Sequence, residues 1–447
     1  MLFFCVYAFF LLALGVWEVR RSRGAESFFL NGRRSGTVQV CFSLMGAAVG
    51  ASATVGMAGL AWQVGFPAFW WIGAGALGFA FIALFLARSV HASGAWTMPE
   101  FIEQSLGRPS RVLASCIIVP SWVLVLAAQF IAMGSLTAVL TGLGPAEALA
   151  AGATVLILYS ALGGQASVVR SDLPQGLLLL LGLSVGALCL YGLHPEPLHE
   201  LELELVNETF GPERVFSFLL VMGGSYVAGP TMFSVLLSAR DARAARNGAA
   251  LASAALFVMA ALVTALGVLC RASVPAGTAP DDVLAAAIGQ MPPWAGMAML
   301  VALFSAMLSS ADSCLVTAST VLCNDLFRRR SALLCRVSAF ILGAAGWLMA
   351  AQGLGILALM LAACDVCMGG LLGPVLASRV IEVLGQGRKK EAMPGGFRPS
   401  FLTEDRLCAL AVASGACCGL VSSISGQIFF SVTGVVLSFF LTLWAKR

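Results

Sequence analysis

The chain has 447 residues, of which 59% are hydrophobic and only 11% are charged, and this composition excludes a soluble globular domain. Its net charge of +4 comes from basic residues spread over many short segments, which argues against a nucleic-acid-binding surface. No nucleophile arrangement, metal cluster or nucleotide-binding loop supports an enzyme. The composition therefore predicts an all-α polytopic membrane protein that is not an enzyme.

Apolar segments long enough to cross a bilayer recur along the whole chain. A spanning helix needs roughly 20 such residues. About thirteen spans are predicted, starting near residues 1, 38, 66, 112, 146, 172, 213, 247, 294, 332, 353, 405 and 424. Residues 1–20 are expected to remain as an extra N-terminal helix, because Arg20, Arg21 and Arg23 follow the apolar run instead of preceding it as in a signal peptide.

Basic residues lie almost entirely on one predicted side of the membrane. Of the 26 Lys and Arg residues, all but Arg214 and Arg271 fall in loops such as 20–34, 328–336 and 379–406 on that side. The positive-inside rule makes this side cytoplasmic, so the amino terminus faces out and the carboxyl terminus faces in. We expect a multi-pass protein of the cell inner (plasma) membrane, whose neighbours are lipids and not an obligate protein partner.

Glycine clusters mark the second and seventh predicted spans. They are Gly46, Gly50, Gly56 and Gly59 in the second span, and Gly223, Gly224 and Gly229-Pro230 in the seventh. Such clusters allow close helix packing or a break in the helix, and their corresponding places favour the break. Because the two spans lie five apart, they run in opposite directions. This predicts two inverted five-helix repeats at residues 38–193 and 213–384, followed by two C-terminal helices at residues 405–447.

The ninth predicted span carries a stripe of hydroxyl groups. Ser305, Ser309, Ser313 and Thr317 recur every fourth residue and Asp312 lies beside them, so a helix places these groups on one face. Polar groups inside a membrane are costly and usually mark an ion or substrate path. The stripe predicts a cation site in a transporter. The alternative is that each hydroxyl bonds to a carbonyl one turn earlier in its own helix.

Three acidic residues, Asp172, Asp312 and Asp365, fall in apolar sequence. A carboxyl group there must be protonated, hydrogen-bonded or next to a cation. Asp312 takes part either in a structural hydrogen bond or in sodium release or a second cation site. Asp365 either pairs with a substrate amine or is protonated and hydrogen-bonded. Asp172 at the start of the sixth span is also explained as an ordinary helix-start carboxylate.

Six motifs in one order resemble the sodium/solute symporter family, whose members include sodium/proline and sodium/galactose transporters. They are Phe29-Leu-Asn-Gly-Arg-Arg34, Phe42-Ser-Leu-Met-Gly-Ala-Ala-Val49, Thr97-Met-Pro-Glu-Phe101, Gly163-Gly164 with Ser171-Asp-Leu-Pro-Gln175, Gly229-Pro230 with Ser238-Ala-Arg-Asp241, and Ala306-Met-Leu-Ser-Ser-Ala-Asp-Ser313. The resemblance covers nearly the whole chain. It implies a LeuT-type 5+5 inverted-repeat core with sodium and solute near the membrane midplane, between two interrupted helices.

The resemblance also implies site residues. The sodium ligands are the carbonyls of Gly46, Val49 and Ala306 and the hydroxyls of Ser309 and Ser310, oxygen ligands that suit a hard cation. Asp172 lies on the cytoplasmic exit path for sodium. The solute site is expected at Gly50, Ser52, Ala53, Tyr226, Gly229 and Asp365. The segment Gly50-Ala-Ser-Ala53 lacks the polar and aromatic groups of the sugar- and proline-transporting relatives, so neither substrate is expected.

These expectations combine into a sodium-coupled secondary active symporter. It imports a small amino-acid-like or carboxylate solute by alternating access, since broken helix ends favour carboxylates. A proton-coupled transporter that uses Asp312 or Asp365 is the alternative within the same class. A membrane solute sensor without transport is the alternative from another class, and the short tail after residue 444 disfavours it.

Overall fold

A computed structural model describes residues 9, 13, 16–17, 25–194, 196, 204–387, 404–425 and 429–446, and helices dominate these residues. The predicted first span, residues 1–20, and most of the loop 385–404 lie outside the described residues. The helices are α1 (Ala25–Leu30), α2 (Thr37–Ala48), α3 (Ser52–Val64), α4 (Phe66–Ala92), α5 (Met98–Leu106), α6 (Arg108–Thr141), α7 (Pro145–Leu193), α8 (Pro212–Val227), α9 (Pro230–Ser238), α10 (Ala242–Ser273), α11 (Val283–Ile288), α12 (Pro293–Leu326), α13 (Ala332–Ala350), α14 (Ile356–Ile381), α15 (Glu404–Ser425) and α16 (Phe429–Ala445).

Eight of the described helices are long and apolar enough to cross a membrane, or ten if each of two bent pairs counts as one span. This establishes an all-helical polytopic membrane protein. The predicted number of thirteen differs partly because the first span is not described and the apolar part of α16, Ser431–Ala445, is short. It also differs because α7 is counted once where two spans were predicted.

Helix α7 contains a sharp kink at Gly164. This residue has φ 61° and ψ −162°, a left-handed backbone that an L side chain rarely adopts. At about 1.5 Å per residue, 49 residues measure about 73 Å, more than twice the hydrocarbon thickness of a bilayer. The kink therefore divides α7 into two segments near residue 164, seven or eight residues before the predicted second start at 172.

Two helix pairs are broken where the glycine clusters predicted a break. Helices α2 and α3 meet at an angle of 68°, and the backbone leaves the helical region at Val49, with φ −104° and ψ 82°. Helices α8 and α9 meet at 41° around Gly229. Pro230 opens α9 as its first residue, where a missing N–H and a fixed φ suit a helix start. Both breaks lie inside spans that would otherwise be continuous.

Helix α12 forms the centre of the molecule. Every residue from 302 to 321 is buried, and the helix packs most extensively against α7. It also packs against α2 and α6. The hydroxyl stripe at Ser305, Ser309, Ser313 and Thr317 is thus enclosed by protein on all sides. A polar helix in that position needs internal partners for its hydroxyl and carboxyl groups, because water does not reach them.

Candidate functional site

The break between α2 and α3 lies directly beside the hydroxyl stripe of α12. A helix end leaves backbone carbonyls without their partners one turn ahead. Ser310 Oγ donates to the carbonyl of Ala47 at 3.3 Å, and the Tyr226 hydroxyl donates to the carbonyl of Ala48 at 3.1 Å. Side chains from α12 and α8 therefore meet the end of α2 where its carbonyls become available.

Ser309 and Asp172 complete this side of the break. Ser309 Oγ donates to Asp172 Oδ1 at 2.6 Å. A Cβ atom on Gly46 would overlap Ser309 Oγ and would lie 3.2 Å from Asp172 Oδ1, so only glycine fits this contact. The hydroxyls of Ser309 and Ser310 thus donate to other helices and not to the carbonyls one turn earlier in α12.

The structure places the five predicted sodium residues on two helices in contact. Gly46 and Val49 belong to the end of α2, and Ala306, Ser309 and Ser310 belong to the middle of α12. All five are buried, and the exposed fraction of Val49, Ala306, Ser309 and Ser310 is at most 3%. Their carbonyl and hydroxyl oxygens are the ligand types that a sodium ion prefers.

Asp312 lies one turn beyond Ser309 and is fully buried. Neither of its carboxyl oxygens has a hydrogen-bond partner among the described residues, and the same holds for Asp172 Oδ2, Ser43 Oγ and Ser313 Oγ. An ionised carboxylate without a partner is strongly disfavoured in such surroundings. The region around Asp172 and Asp312 can therefore accommodate a proton or a cation.

A cavity of about 70 Å³ lies between the two helix breaks. Four of the predicted solute residues line it, namely Gly50, Ser52, Tyr226 and Gly229, whereas Ala53 is buried outside the lining. Ser310 lines it as well, so the cavity adjoins the predicted sodium residues. The lining side chains are polar or apolar and uncharged.

Asp365 does not belong to this central cavity, in contrast to the prediction. Helix α14 lines the cavity with Met360, Ala363, Cys364 and Cys367, which share one helical face. Asp365 follows Cys364 and is rotated about 100° around the helix axis. It accepts a hydrogen bond from Ser431 Oγ of α16 at 3.1 Å and lines a different cavity. An amine in the central cavity therefore does not meet this carboxyl group.

Several lining residues were not predicted, and Gln129 of α6 is the most informative. Its Oε1 accepts from the N–H of Ala51 at 2.8 Å, which satisfies a donor freed by the helix break, and its Nε2 donates to Ser310 Oγ at 3.4 Å. A single amide inside an apolar span was the available signal. The other unpredicted polar or aromatic lining residues are Trp122, Ser225, Thr231 and Cys314.

Comparison with known proteins supports the motifs found in the sequence. The sodium:solute symporter family model matches residues 28–193. The sodium/glucose cotransporter of Vibrio parahaemolyticus is 25% identical over 189 residues, which are 40% of this chain and 34% of that relative. The chain thus matches about a third of the length of this curated relative.

Three solved structures share the fold. A Na+-coupled sialic acid symporter in a substrate-bound outward-open state aligns with a TM-score of 0.80 and 16% identity over 99% of this chain and 96% of its own. Mhp1, a nucleobase-cation-symport-1 family transporter in a closed conformation with bromovinylhydantoin bound, aligns with a TM-score of 0.63 and 15% identity over 94% of both chains. MhsT in complex with L-phenylalanine aligns with a TM-score of 0.56 and 18% identity over 92% of this chain and 99% of its own. These neighbours confirm the LeuT-like fold. Within that fold, residues 28–193 are similar to the sodium:solute symporter family.

Proposed function

We propose that this protein is a sodium-coupled secondary active symporter that imports a small organic solute by alternating access. The observation that carries the proposal is that the hydroxyls of α12 contact both the end of α2 and Asp172 of α7. Ser309 Oγ lies 2.6 Å from Asp172 Oδ1, and Ser310 Oγ lies 3.3 Å from the Ala47 carbonyl. Oxygen atoms from three helices, α2, α7 and α12, converge there inside an apolar core, as a bound sodium ion requires.

Sodium in this position would couple the two helices. Gly46 and Val49 would supply carbonyl oxygens from α2, while Ala306, Ser309 and Ser310 would supply oxygens from α12. A cation shared by both helices stabilises the conformation in which they lie together, in proportion to its preference for that state. We assign this conformation to the outward-open state, so that sodium binds first and the solute then permits closure.

The solute is proposed to be small and to carry a polar group that is either anionic, such as a carboxylate, or uncharged. The central cavity of about 70 Å³ has room for only a few waters, each of which needs at least about 10–15 Å³, and this size favours a small solute over a bulky sugar. Its uncharged lining and the broken helix end at Gly229-Pro230 favour a carboxylate beside sodium.

The proposed architecture adds two inverted repeats and a membrane orientation to the fold. We infer two inverted repeats at residues 38–193 and 213–384, each opening with one bent helix pair, and two C-terminal helices at residues 405–447. The amino terminus is placed outside and the carboxyl terminus in the cytoplasm of a plasma-membrane protein. Asp172, beside Ser309, is assigned to the path by which sodium leaves.

The sodium site is tested by thermal stability of the purified protein in sodium against potassium at equal ionic strength. Sodium at about 100 times its dissociation constant stabilises the folded state by about 2.7 kcal/mol. We expect the melting temperature of wild type to be higher in sodium than in potassium. We expect this difference to be absent from the double variant Ser309→Ala, Ser310→Ala. The measurement needs no knowledge of the solute.

The matched control is Ser319→Ala with Thr320→Ala, two buried hydroxyls farther along α12 that bond back to their own helix. Their removal is expected to leave the sodium response intact. A wild-type protein that melts equally in sodium and potassium up to high salt contradicts the sodium site. If both double variants lose the sodium response equally, the assignment of the sodium site to Ser309 and Ser310 is contradicted.

A proton-coupled transporter is the second candidate, and it is favoured by the carboxyl oxygens of Asp312, which lack a hydrogen-bond partner in the described part of the chain. If Asp312 carries the coupled proton, Asp312→Asn abolishes solute uptake driven by a pH gradient, because the amide cannot release a proton. The measurement is uptake into proteoliposomes with either a sodium or a pH gradient. Sodium-driven uptake that persists in Asp312→Asn, with no pH-driven uptake in wild type, excludes this candidate.

A further inference from the structure

Helices α7 and α13 each carry an arginine close to the predicted cytoplasmic face. Arg336 is the fifth residue of α13 and the one charged residue in that helix. Arg170 follows the kink of α7 at Gly164 by six residues, about 9 Å along the helix axis. Helix α13 and the second segment of α7 both begin at the face that the positive-inside rule predicts to be cytoplasmic. Both arginines therefore lie at the depth of the lipid headgroups.

Each arginine continues an exposed apolar face of its helix. On α13, Leu333 and Phe340 lie three residues before and four residues after Arg336, and they are 70% and 51% exposed. On α7, Leu177 and Leu181 lie seven and eleven residues beyond the arginine, and they are 47% and 65% exposed. These spacings place the side chains on one face of each helix. A basic group thus ends an apolar face on both helices.

An aromatic ring from the N-terminal part of the chain lies against each guanidinium group. Arg336 Cζ lies 5.8 Å from the centre of the Phe28 ring, and Arg170 Cζ lies 5.0 Å from that of Trp17. Such contacts hold a guanidinium group in place but do not neutralise its charge. Phe28 also contacts α7, because a Cβ atom on Gly164 would overlap its ring. Helix α1 therefore joins the start of α13 to the kink of α7, and the two arginines border one surface.

Within the described residues, no acid forms an ion pair with Arg336. Its Nε atom is buried and has no hydrogen-bond partner there. The one acid of α1, Glu26, pairs with Arg33 at 3.6 Å. Arg328 and Arg329, which precede α13, add further positive charge. A buried guanidinium nitrogen is costly without an acceptor, so this surface favours an anion.

We propose that this surface, formed by Arg170, Arg336 and the apolar faces beyond them, binds an anionic phospholipid of the cytoplasmic leaflet. The lipid phosphate pairs with the Arg336 guanidinium group, and the acyl chains lie along the exposed leucines and Phe340. Guanidinium groups bind phosphate oxygens through two parallel N–H bonds, and basic sites between helices on the cytoplasmic side favour anionic headgroups. The bound lipid stabilises the contact of α1 with α7 and α13.

The test measures the thermal stability of the purified full chain in detergent micelles with added dioleoylphosphatidylglycerol or dioleoylphosphatidylcholine. We expect the anionic lipid to raise the melting temperature more than the zwitterionic lipid, and native mass spectrometry to detect it bound to the protein. Arg336→Gln is expected to weaken the apparent affinity for the anionic lipid at least about fivefold and to leave the response to the zwitterionic lipid unchanged. Arg170→Gln should act in the same direction.

Free phosphate is distinguished from the lipid with two soluble probes. Inorganic phosphate and glycerol 3-phosphate carry the anionic group without acyl chains, so neither is expected to raise the melting temperature. A rise with either probe as large as that with the anionic lipid would overturn the assignment to a lipid.

Two further variants make the outcome decisive. Arg246→Gln removes an exposed arginine from the fifth position of α10, at the same predicted face, and is expected to keep wild-type affinity. Arg336→Lys keeps the charge without the planar fork, so its affinity should lie between those of wild type and Arg336→Gln. The proposal is overturned if both lipids stabilise wild type equally, or if Arg246→Gln weakens binding as much as Arg336→Gln. The sodium-dependent rise in thermal stability should persist in Arg336→Gln, which separates a failure of this site from a failure of the sodium site.

Discussion

At the scale of single residues, Gly46 controls how closely α2 approaches α12. We expect Gly46→Ala to destabilise the protein by about 1–3 kcal/mol, because the new methyl group overlaps Ser309 Oγ and crowds Asp172 Oδ1. It should also abolish the sodium-dependent rise in thermal stability, since it separates the two sets of proposed ligands. Melting temperatures in sodium and in potassium measure both effects.

Gly192 in the last turns of α7 provides the matched control. Among the described residues, no atom beyond its chain neighbours and the backbone of its own helix lies within 4 Å of a Cβ atom built there. Gly192→Ala is therefore expected to leave stability unchanged or slightly raised, as alanine is the better helix former. If Gly46→Ala retains the full sodium response, the close contact at Gly46 is structural and the ion binds elsewhere.

At the scale of helices, a buried ion network ties α5 and α6 to the end of α12. The Arg111 guanidinium lies 2.7 Å from Asp325 Oδ1 and donates to the Asn324 carbonyl at 2.9 Å, and it also pairs with Glu103. Thr97, the residue that caps α5, donates to the same Asp325 oxygen at 2.9 Å. The Asp325 side chain is fully buried, so this network fixes the three helices at the predicted cytoplasmic face.

Removing the cation from this network should be costly. Arg111→Gln is expected to destabilise the protein by about 3–5 kcal/mol, because it leaves the Asp325 carboxylate buried without its charge partner. Arg240→Gln is the control, since it breaks a 3.1 Å pair with Asp241 whose side chains are 64% and 49% exposed. Such a pair contributes at most about 1 kcal/mol. Equal losses of thermal stability in the two variants would contradict a structural role for the network.

Across the whole molecule, local patterns in the sequence predicted the helices and both breaks. Gly229-Pro230 carries its own conformational preference, and the fourfold spacing of Ser305 to Thr317 is a property of one helix. The sequence could not predict which cavity Asp365 lines, because the rotation of α14 about its axis depends on the packing of α15 and α16 against it. The roles of Gln129 and of the Arg111 network were missed for a similar reason, since their partners lie 78 and 214 residues away in sequence.

The proposed alternating access would involve the whole molecule, and it is testable with native cysteines. Cys364 lines the central cavity and is partly exposed, whereas Cys323 and Cys335 are fully buried and serve as internal controls. If sodium favours the outward-open state, a membrane-impermeant maleimide added from outside should label Cys364 faster in sodium than in potassium. Added from the cytoplasmic side in inside-out vesicles, it should label Cys364 faster in potassium.

Mass spectrometry assigns the labelled residue, and Ser309→Ala with Ser310→Ala should remove the ion dependence. Labelling that is independent of the ion from both sides, in wild type, would show that sodium does not control access to the cavity.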